Sequence, residues 1–535
     1  MRGLSSRFQP SSQWAWLAPR LFFTLVVLLG LLLYRDYGLS WDEPVDHMNG
    51  KVNAKYIAQL FFPKLANQEK TNEQIPDFEG FSEFDHGVLF ALPVAILGRI
   101  FTHGDSRGFY FLQHLLNYLT CTLGMWALYR IGMIRFKDWR WALLGSALLL
   151  LSPRFFAESF YNSKDLIFLA LFTLAMYTLL RVLERPTMGR ALVHGLATAA
   201  AIDVRIMGLM LVVFTLGMIG LEALSRPAPA KGSLARVTSL YLVAAFVFTV
   251  VGWPYLWTNP VANFITAFQA MGHFRWVGPV LYGGEMLLST QLPWHYVPVW
   301  IIITTPVAYT VAFLAGLVAL VGRFSFKHLL TSRPYRYDLL FMGWAIGPIV
   351  VVVLMHSVLY DGWRHLYFLY PALLLLAVGG ARKILHAVNR HRAWRQLAMA
   401  AAALGVAEMG YTLTRMVQDH PFQNVYFSCL PGSMAERLFE RDYWALSNRQ
   451  GVEWLLAHDP ASRITLETNS ANPIGFIHLI LPPAESSRLQ IEGPSARYFL
   501  TNYREHPQPY PPSVGREVYT IWASGMRVLS IFQRY

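Results

Sequence analysis

Charge and sulfur are both scarce in this chain. Of 535 residues only 14% are Asp, Glu, Lys or Arg, and two are cysteine. Two thiols build no disulfide framework: Cys121 sits in an apolar stretch and Cys429 in a distant polar tail. Acidic residues are the rarer sign, 32 against 45 basic, which leaves a formal net charge of +13. That balance raises nucleic acid as a partner, but the Lys and Arg residues fall in short clusters between apolar runs. Such placement reports membrane topology and argues for no nucleic acid. Also missing are a P-loop, a GxGxxG turn, HExxH, paired CxxC and a GxSxG elbow, so the chemistries those motifs carry have no foothold. No internal repeat and no low-complexity segment stands out.

What is abundant is apolar surface. The chain is 54% hydrophobic, and apolar runs approaching the length of a membrane span, about 17–25 residues, recur along it. The basic start (Arg2, Arg7, Arg20) runs into an apolar segment without a small-residue cleavage site, which predicts a retained first helix. Crossings are expected near 17–33, 109–129, 141–151, 166–180, 191–202, 207–221, 240–254, 297–321, 339–355, 366–378 and 397–413. A further apolar stretch, His86–Phe101, is read as dipping into or lying along the membrane surface. Counting basic residues decides this. With eleven crossings, the loops carrying Arg130/Arg135/Lys137/Arg140, Arg181/Arg185/Arg190, Arg226/Lys231/Arg236, Arg323/Lys327/Arg333/Arg336 and Arg382/Lys383/Arg390/Arg392/Arg395 all share one side, the cytoplasmic one. A twelfth crossing would scatter them.

The expected fold is therefore a polytopic α-helical membrane protein with about 11 transmembrane helices, N-terminus in and C-terminus out, and a small C-terminal α/β domain. Residues 1–415 form the membrane domain, with a large first external loop at 34–108, and 416–535 the external tail. In that tail Trp444–His458 has helical spacing, while RITLET, ARYFLTNY and EVYTIWA/MRVLSIFQR around Ser524-Gly525 read as strands and a hairpin.

Five polar islands fall on the outer side. Asp42 and Glu43 offer a general base and an orienting or metal-binding carboxylate, with a plain N-cap as the alternative, since Pro44 beside them suits a helix start. Asp85 and His86 could hold a metal or an acceptor, or cap the dipping segment. Lys164 and Asp165 stand at the outer mouth of the fourth crossing in a crowded loop with Arg154, Glu158, Tyr161 and Asn162; an acid at a helix start is also an ordinary cap. Asp203 and Arg205 interrupt a long apolar stretch and either serve a substrate or pair with each other. In Tyr360-Asp361-Gly362-Trp363-Arg364-His365, a cation where a helix begins suits a phosphate, against the plain reading of an interfacial Trp-Arg belt. Trp253, Tyr255, Trp257, Trp276, Trp294 and Tyr296 are expected in the interfacial belt.

The Asp-Glu pair of the first external loop, the dipping segment and the phrase SPRFFAESFYNSKDLIFLALFTLAMYTLLR together resemble the GT-C integral-membrane glycosyltransferases. Within them the likeness is to the dolichyl-phosphate-mannose protein mannosyltransferase-like branch, whose bacterial members include the lipid A aminoarabinose transferase. RHLYFLYPALLLL (364–376) and HPFQNVYFSCLPGS followed by FERDYWALS (420–447) resemble later segments of that branch. The resemblance implies transfer of a sugar from a polyprenyl-phosphate donor to a lipid, glycan or protein acceptor at the periplasmic face of the inner membrane. It implies Asp42 as base with Glu43 in support, Asp165 as a second acid, and Arg364 on the carrier phosphate. Arg205 stands where relatives often have a lysine. Asp85, His86, Lys164, Tyr360, Trp363 and His365 complete the expected substrate contacts. No cofactor is required, while the carboxylates would allow a divalent metal. Rival readings are a transporter or flippase of a lipid-linked sugar, and a non-catalytic membrane scaffold.

Overall fold

A computed structural model describes residues 12–66, 74–83, 86–225, 228–272, 276–387, 392–469 and 473–535. Ten of the eleven expected crossings each overlap one α-helix, whereas 297–321 is broken at Thr305-Pro306 into two, Tyr296–Thr304 and Val307–Val321. Seven of the helices among the described residues are long and apolar enough to span a bilayer, and an eighth arises if the pair Trp139–Leu150 and Pro153–Tyr161, bent by 69°, counts as one. Ser106–Phe136 is longer than any of these, with 31 residues, while Met188–Ile202 and Val307–Val321 are shorter apolar helices. The chain is a multi-pass membrane protein.

Local chemistry sets several of the helix starts. Asp105 caps Ser106–Phe136 by accepting from the backbone N–H of Arg107 at 3.1 Å and of Gly108 at 3.0 Å, and Asp138 caps the next helix through Arg140 N–H at 2.9 Å. Between crossings, small residues let backbones meet. A Cβ at Gly316 would lie 2.3 Å from the Leu376 carbonyl oxygen, and one at Gly380 2.2 Å from that of Ala312, so these two helices cross at a distance that only glycine allows.

The segment after the first helix folds as the helix Asp42–Phe61, and the apolar stretch after it as Ala91–Thr102. At 12 residues the latter spans about 18 Å, short of the ~30 Å hydrocarbon core. The stretch 152–165, expected as an outer loop, is instead a buried helix, Pro153–Tyr161. Proline at its first turn fits a helix start, and with every residue buried it packs under the site. The region between Trp253 and Tyr296 holds the helix Pro260–Gly272 and a hairpin pairing Pro279–Tyr282 with Glu285–Leu288. Trp253 and Tyr296, expected at the interface, are each 1% exposed and belong to the core, whereas Trp294 is 70% exposed.

The tail carries the helix Ser447–His458 and a five-stranded sheet in the order Leu489–Ile491, Ile464–Thr468, Tyr498–Thr501, Met526–Gln533, Arg516–Ala523. The first three strands run parallel and the last two join antiparallel. The hairpin turns at Ser524 and Gly525, both left-handed with φ of 52° and 73°. One hydrophobic core runs without a break from the membrane helices into this sheet, from Val26 and Phe172 to Leu500 and Ile531.

Polar contacts gather at the two ends of the bundle. At the basic end Arg135 reaches Asp338 at 2.6 Å, and Arg333 and Arg336 each reach Glu222 at 2.8 Å. The other end holds the islands.

Candidate active site

The helix Asp42–Phe61 begins where Glu43 reaches back to the Ser40 backbone N–H at 2.8 Å, satisfying one of the donors a helix start leaves free. Glu43 is wholly buried, and its other oxygen lies 2.9 Å from His114 Nε2. It anchors the helix and touches none of the cations of the site among the described contacts. Its neighbour Asp42 does: Asp42 Oδ2 accepts from Arg364 Nη1 at 2.8 Å. These residues are 322 positions apart in sequence.

Arg364 is the hub. Its Nη1 also donates to Asp165 Oδ2 at 3.2 Å, and its Nη2 lies 3.2 Å from Asp361 Oδ2. The Tyr360 ring is 5.0 Å and the Trp444 ring 4.6 Å from the guanidinium carbon, so aromatic faces also hold it. Asp165 is oriented through Asn162, whose side-chain oxygen accepts from the Asp165 backbone N–H at 2.8 Å, and it forms a second ion pair with Arg205. The alternative pairing of Asp203 with Arg205 is therefore not made. Asp203 instead lies buried, and burial raises its carboxyl well above the usual range. One helical turn beyond Asp42, Asp46 accepts from Lys164 Nζ at 2.8 Å and from the Ser163 hydroxyl.

The cluster holds the cations Lys164, Arg205 and Arg364 against the carboxylates Asp42, Asp46, Asp165 and Asp361. Burial alone would raise the Asp42 carboxyl, but the charges of Arg364, Lys164 and Arg205 outweigh it and hold Asp42 well below the usual carboxylate range. Asp42 stays ionised and is the exposed member, with 23% of its side chain open against 1% for Asp165 and 4% for Arg364. Lys164 is held above its ordinary value, since Asp46 and Asp42 overcome its burial.

Other expected site residues fall at the margin. His365 packs edge-on against Tyr360 at 4.6 Å, and its Nδ1 is buried without a hydrogen-bond partner among the described residues. Trp363 donates to the Thr304 hydroxyl at 3.0 Å and packs against Phe155, Tyr367 and Tyr370. It supports the turn from below. His86 is buried, 3.4 Å from Glu83. Asp85 lies outside the described residues. Among those described, no group of three or more His, Cys, Asp or Glu converges in a way that could hold a metal ion.

The tail supplies residues that sequence reasoning missed. Arg504 Nη2 donates to Asp361 Oδ1 at 2.6 Å, so one carboxylate bridges Arg504 and Arg364. Asp361 sits in a tight turn, with left-handed φ of 56° there and 69° at Gly362. Glu440 lies beside it, and burial, then the Asp361 charge, push its carboxyl up to about 8. Beneath, Glu158 accepts from Tyr367 and Asn162 at 2.8 Å and from Tyr443 at 3.2 Å, tying tail, turn and buried helix together. Asp46 was legible, since Asp42 and Asp46 share a helix face at i,i+4. Arg504 carries no local signal.

Residues 85–257 match the family described as dolichyl-phosphate-mannose-protein mannosyltransferase. No curated protein matches the sequence. Among solved structures the chain is similar to ArnT from Cupriavidus metallidurans bound to undecaprenyl phosphate, with TM-score 0.50 and 14% identity over 96% of this chain and 98% of that one. It is also similar to the Archaeoglobus fulgidus oligosaccharyltransferase in the apo form, with TM-score 0.48 and 11% identity over 90% of this chain and 66% of that one. The fold is that of ArnT, and the segment 85–257 resembles the mannosyltransferase family.

Proposed function

We propose that the chain is a glycosyltransferase of the inner membrane that moves a sugar from a polyprenyl-phosphate donor to an acceptor hydroxyl on a lipid, glycan or protein at the periplasmic face. The observation that carries the reading is the meeting of Asp42, Asp165, Arg205 and Arg364 in one cluster at the end of the bundle away from the basic loops. A lipid-linked phosphate needs cations at that depth, and a sugar hydroxyl needs a base beside them.

In the scheme we infer, Asp42 takes the proton of the acceptor hydroxyl as its oxygen bonds to the anomeric carbon from the side opposite the phosphate. The carbon–oxygen bond to the phosphate breaks, and the polyprenyl phosphate leaves with that electron pair, so configuration inverts. Arg364, with Arg205 and Lys164 behind it, receives the charge. Such prearranged cations in a water-poor site act mainly by stabilising developing charge, and the base adds about 10²–10⁴-fold. At rest Asp42 is a weak base, because Arg364 holds it ionised. A phosphate that takes over Arg364 releases Asp42 and raises its basicity, so donor binding switches on the base. Each carboxylate of the cluster already faces a cation, and the scheme routes no step through a metal.

The transporter reading expects functional charge near mid-bilayer in repeated halves; the cluster at one end of a chain without visible repeats favours the transferase. The test is transfer by purified protein in detergent, where no second compartment exists. A radiolabelled polyprenyl-phosphate sugar should lose its label to an extract of outer-envelope acceptors with wild-type protein and not with Asp42→Asn. Equal transfer by both would remove the base, and absence of transfer by wild type would remove the enzyme.

A further inference from the structure

We propose that Arg504, delivered by the C-terminal domain, is a positioning residue that keeps Asp361 from claiming Arg364 and so leaves Arg364 able to take a polyprenyl phosphate. The inference rests on the transfer reading above and adds to it a working part for the tail.

The ion pairs divide unequally. Arg364 is shared by three carboxylates, and two of these have a second cation of their own. Asp165 has Arg205, and Asp361 has Arg504 at 2.6 Å. Among the described residues Asp42 is bonded to Arg364 alone, because the nearby Lys164 is spent on Asp46 at 2.8 Å. Asp42 is also the accessible one, 23% exposed against 1% and 6% for Asp165 and Asp361. An incoming phosphate therefore exchanges with Asp42, the carboxylate held by one cation, while the other two stay in place.

That ranking depends on Arg504. It is fixed by a second bond to the Tyr443 carbonyl at 2.7 Å, and its guanidinium carbon lies 5.5 Å from the Trp41 ring, next in sequence to Asp42. Glu440, the other acid facing Asp361, supplies no cation, and burial pushes the carboxyls of both upward. Without Arg504, a buried Asp361 would be left with Arg364 as its only cation among the described residues, and an uncompensated buried carboxylate is costly enough to hold what partner it has. The existing pair with Asp361 at Arg364 Nη2 would then tighten and draw the guanidinium away from the Nη1 side, where Asp42 is exchanged for a phosphate. Removing the Asp361 charge should relieve this, which a merely structural role for Arg504 would not predict.

The experiment uses the full chain in detergent, with undecaprenyl phosphate as probe, and compares wild type, R504Q, R504K and the double variant R504Q/D361N. R504Q should weaken the Kd by about tenfold or more, the scale of a lost partner in a buried charge set, with KM for the donor rising more than kcat falls. R504K should lose less. The double variant should return to within about threefold of wild type. If R504Q proves unfolded by its melting curve, R504K with and without D361N replaces it with the same sign expected. An unchanged Kd in R504Q, or a loss that D361N does not recover in a folded double variant, overturns the proposal. Wild-type transfer with a flat variant series sinks this inference alone. The expected series without any transfer sinks the enzyme and leaves the inference standing, and failure of wild type to bind the probe overturns both.

Discussion

Replacing Asp42 by asparagine separates the two jobs that this side chain is given. The amide oxygen still accepts from Arg364 Nη1 where the carboxylate does at 2.8 Å, and Arg364 keeps Asp165 and Asp361, each at 3.2 Å. The structural cost is therefore that of weakening one hydrogen bond to a charged group, about 1–2 kcal/mol. The catalytic cost is of another order. Loss of general-base help is worth about 10²–10⁴-fold in rate, or about 3–5 kcal/mol of barrier. Meanwhile Arg364 is relieved of a competing charge, so affinity for a polyprenyl phosphate should stay level or rise. The assay measures kcat with a saturating lipid-linked sugar and Kd for the lipid phosphate on the same preparation. A fall in kcat of at least about a hundredfold with no loss of affinity is expected. A variant that keeps a tenth or more of the wild-type rate, or that loses affinity in step with rate, would refute the separation of roles.

The Asp42 carboxyl is lowered in the folded chain, so its stabilising ion pair is complete above the ordinary carboxylate pKa and is lost as pH falls through the depressed value. Asp42→Asn should thus differ from wild type in melting temperature equally at pH 5.5 and pH 8, the gap closing only in strong acid. Glu440 behaves in the opposite sense: its folded pKa is raised to about 8, so wild-type stability is greatest below the ordinary glutamate value and falls until pH passes about 8. Glu440→Gln removes that slope, and its thermal advantage over wild type should be larger at pH 8.5 than at pH 5.5. Gly38→Ala would place a Cβ 2.2 Å from the Leu446 carbonyl oxygen, a clash of backbone with backbone; a loss of about 1–3 kcal/mol in chemical unfolding is expected. Arg449→Ala removes bonds to the carbonyls of Arg35 at 2.6 Å and Tyr37 at 2.9 Å, and the tail should become cleavable by protease at lower denaturant than in wild type.

Hydrophobic run length is a local quantity, so most of the membrane helices were legible, as were the tail helix and the closing hairpin at Ser524-Gly525, while the break at Thr305-Pro306 was not. Sidedness also brought Asp42, Asp165, Arg205 and Arg364 to one end, since each follows or precedes a countable crossing. What stayed hidden depends on partners far away in sequence. Nothing near Glu43 says that it is wholly buried against Ser40 and His114 while Asp42, one residue earlier, faces Arg364. The segment 153–162 has a loop's polar residues because Glu158 and Asn162 are buried among polar partners, and the helix is read only once Tyr367 and Tyr443 are in place. Arg504 sits among ordinary tail residues, and its meaning comes from Asp361, 143 positions earlier.

Trp444 lies against the Arg364 guanidinium, Leu446 against Gly38, and Arg449 on the carbonyls of Arg35 and Tyr37. The order of synthesis then matters to the cell. When the ribosome has made the helix that ends at Gln418, the segment 35–42 still waits for a cover that follows it in the chain. A chain stopped before Trp444 would hold Asp42 uncovered and the Arg364 guanidinium without the indole ring that rests against it.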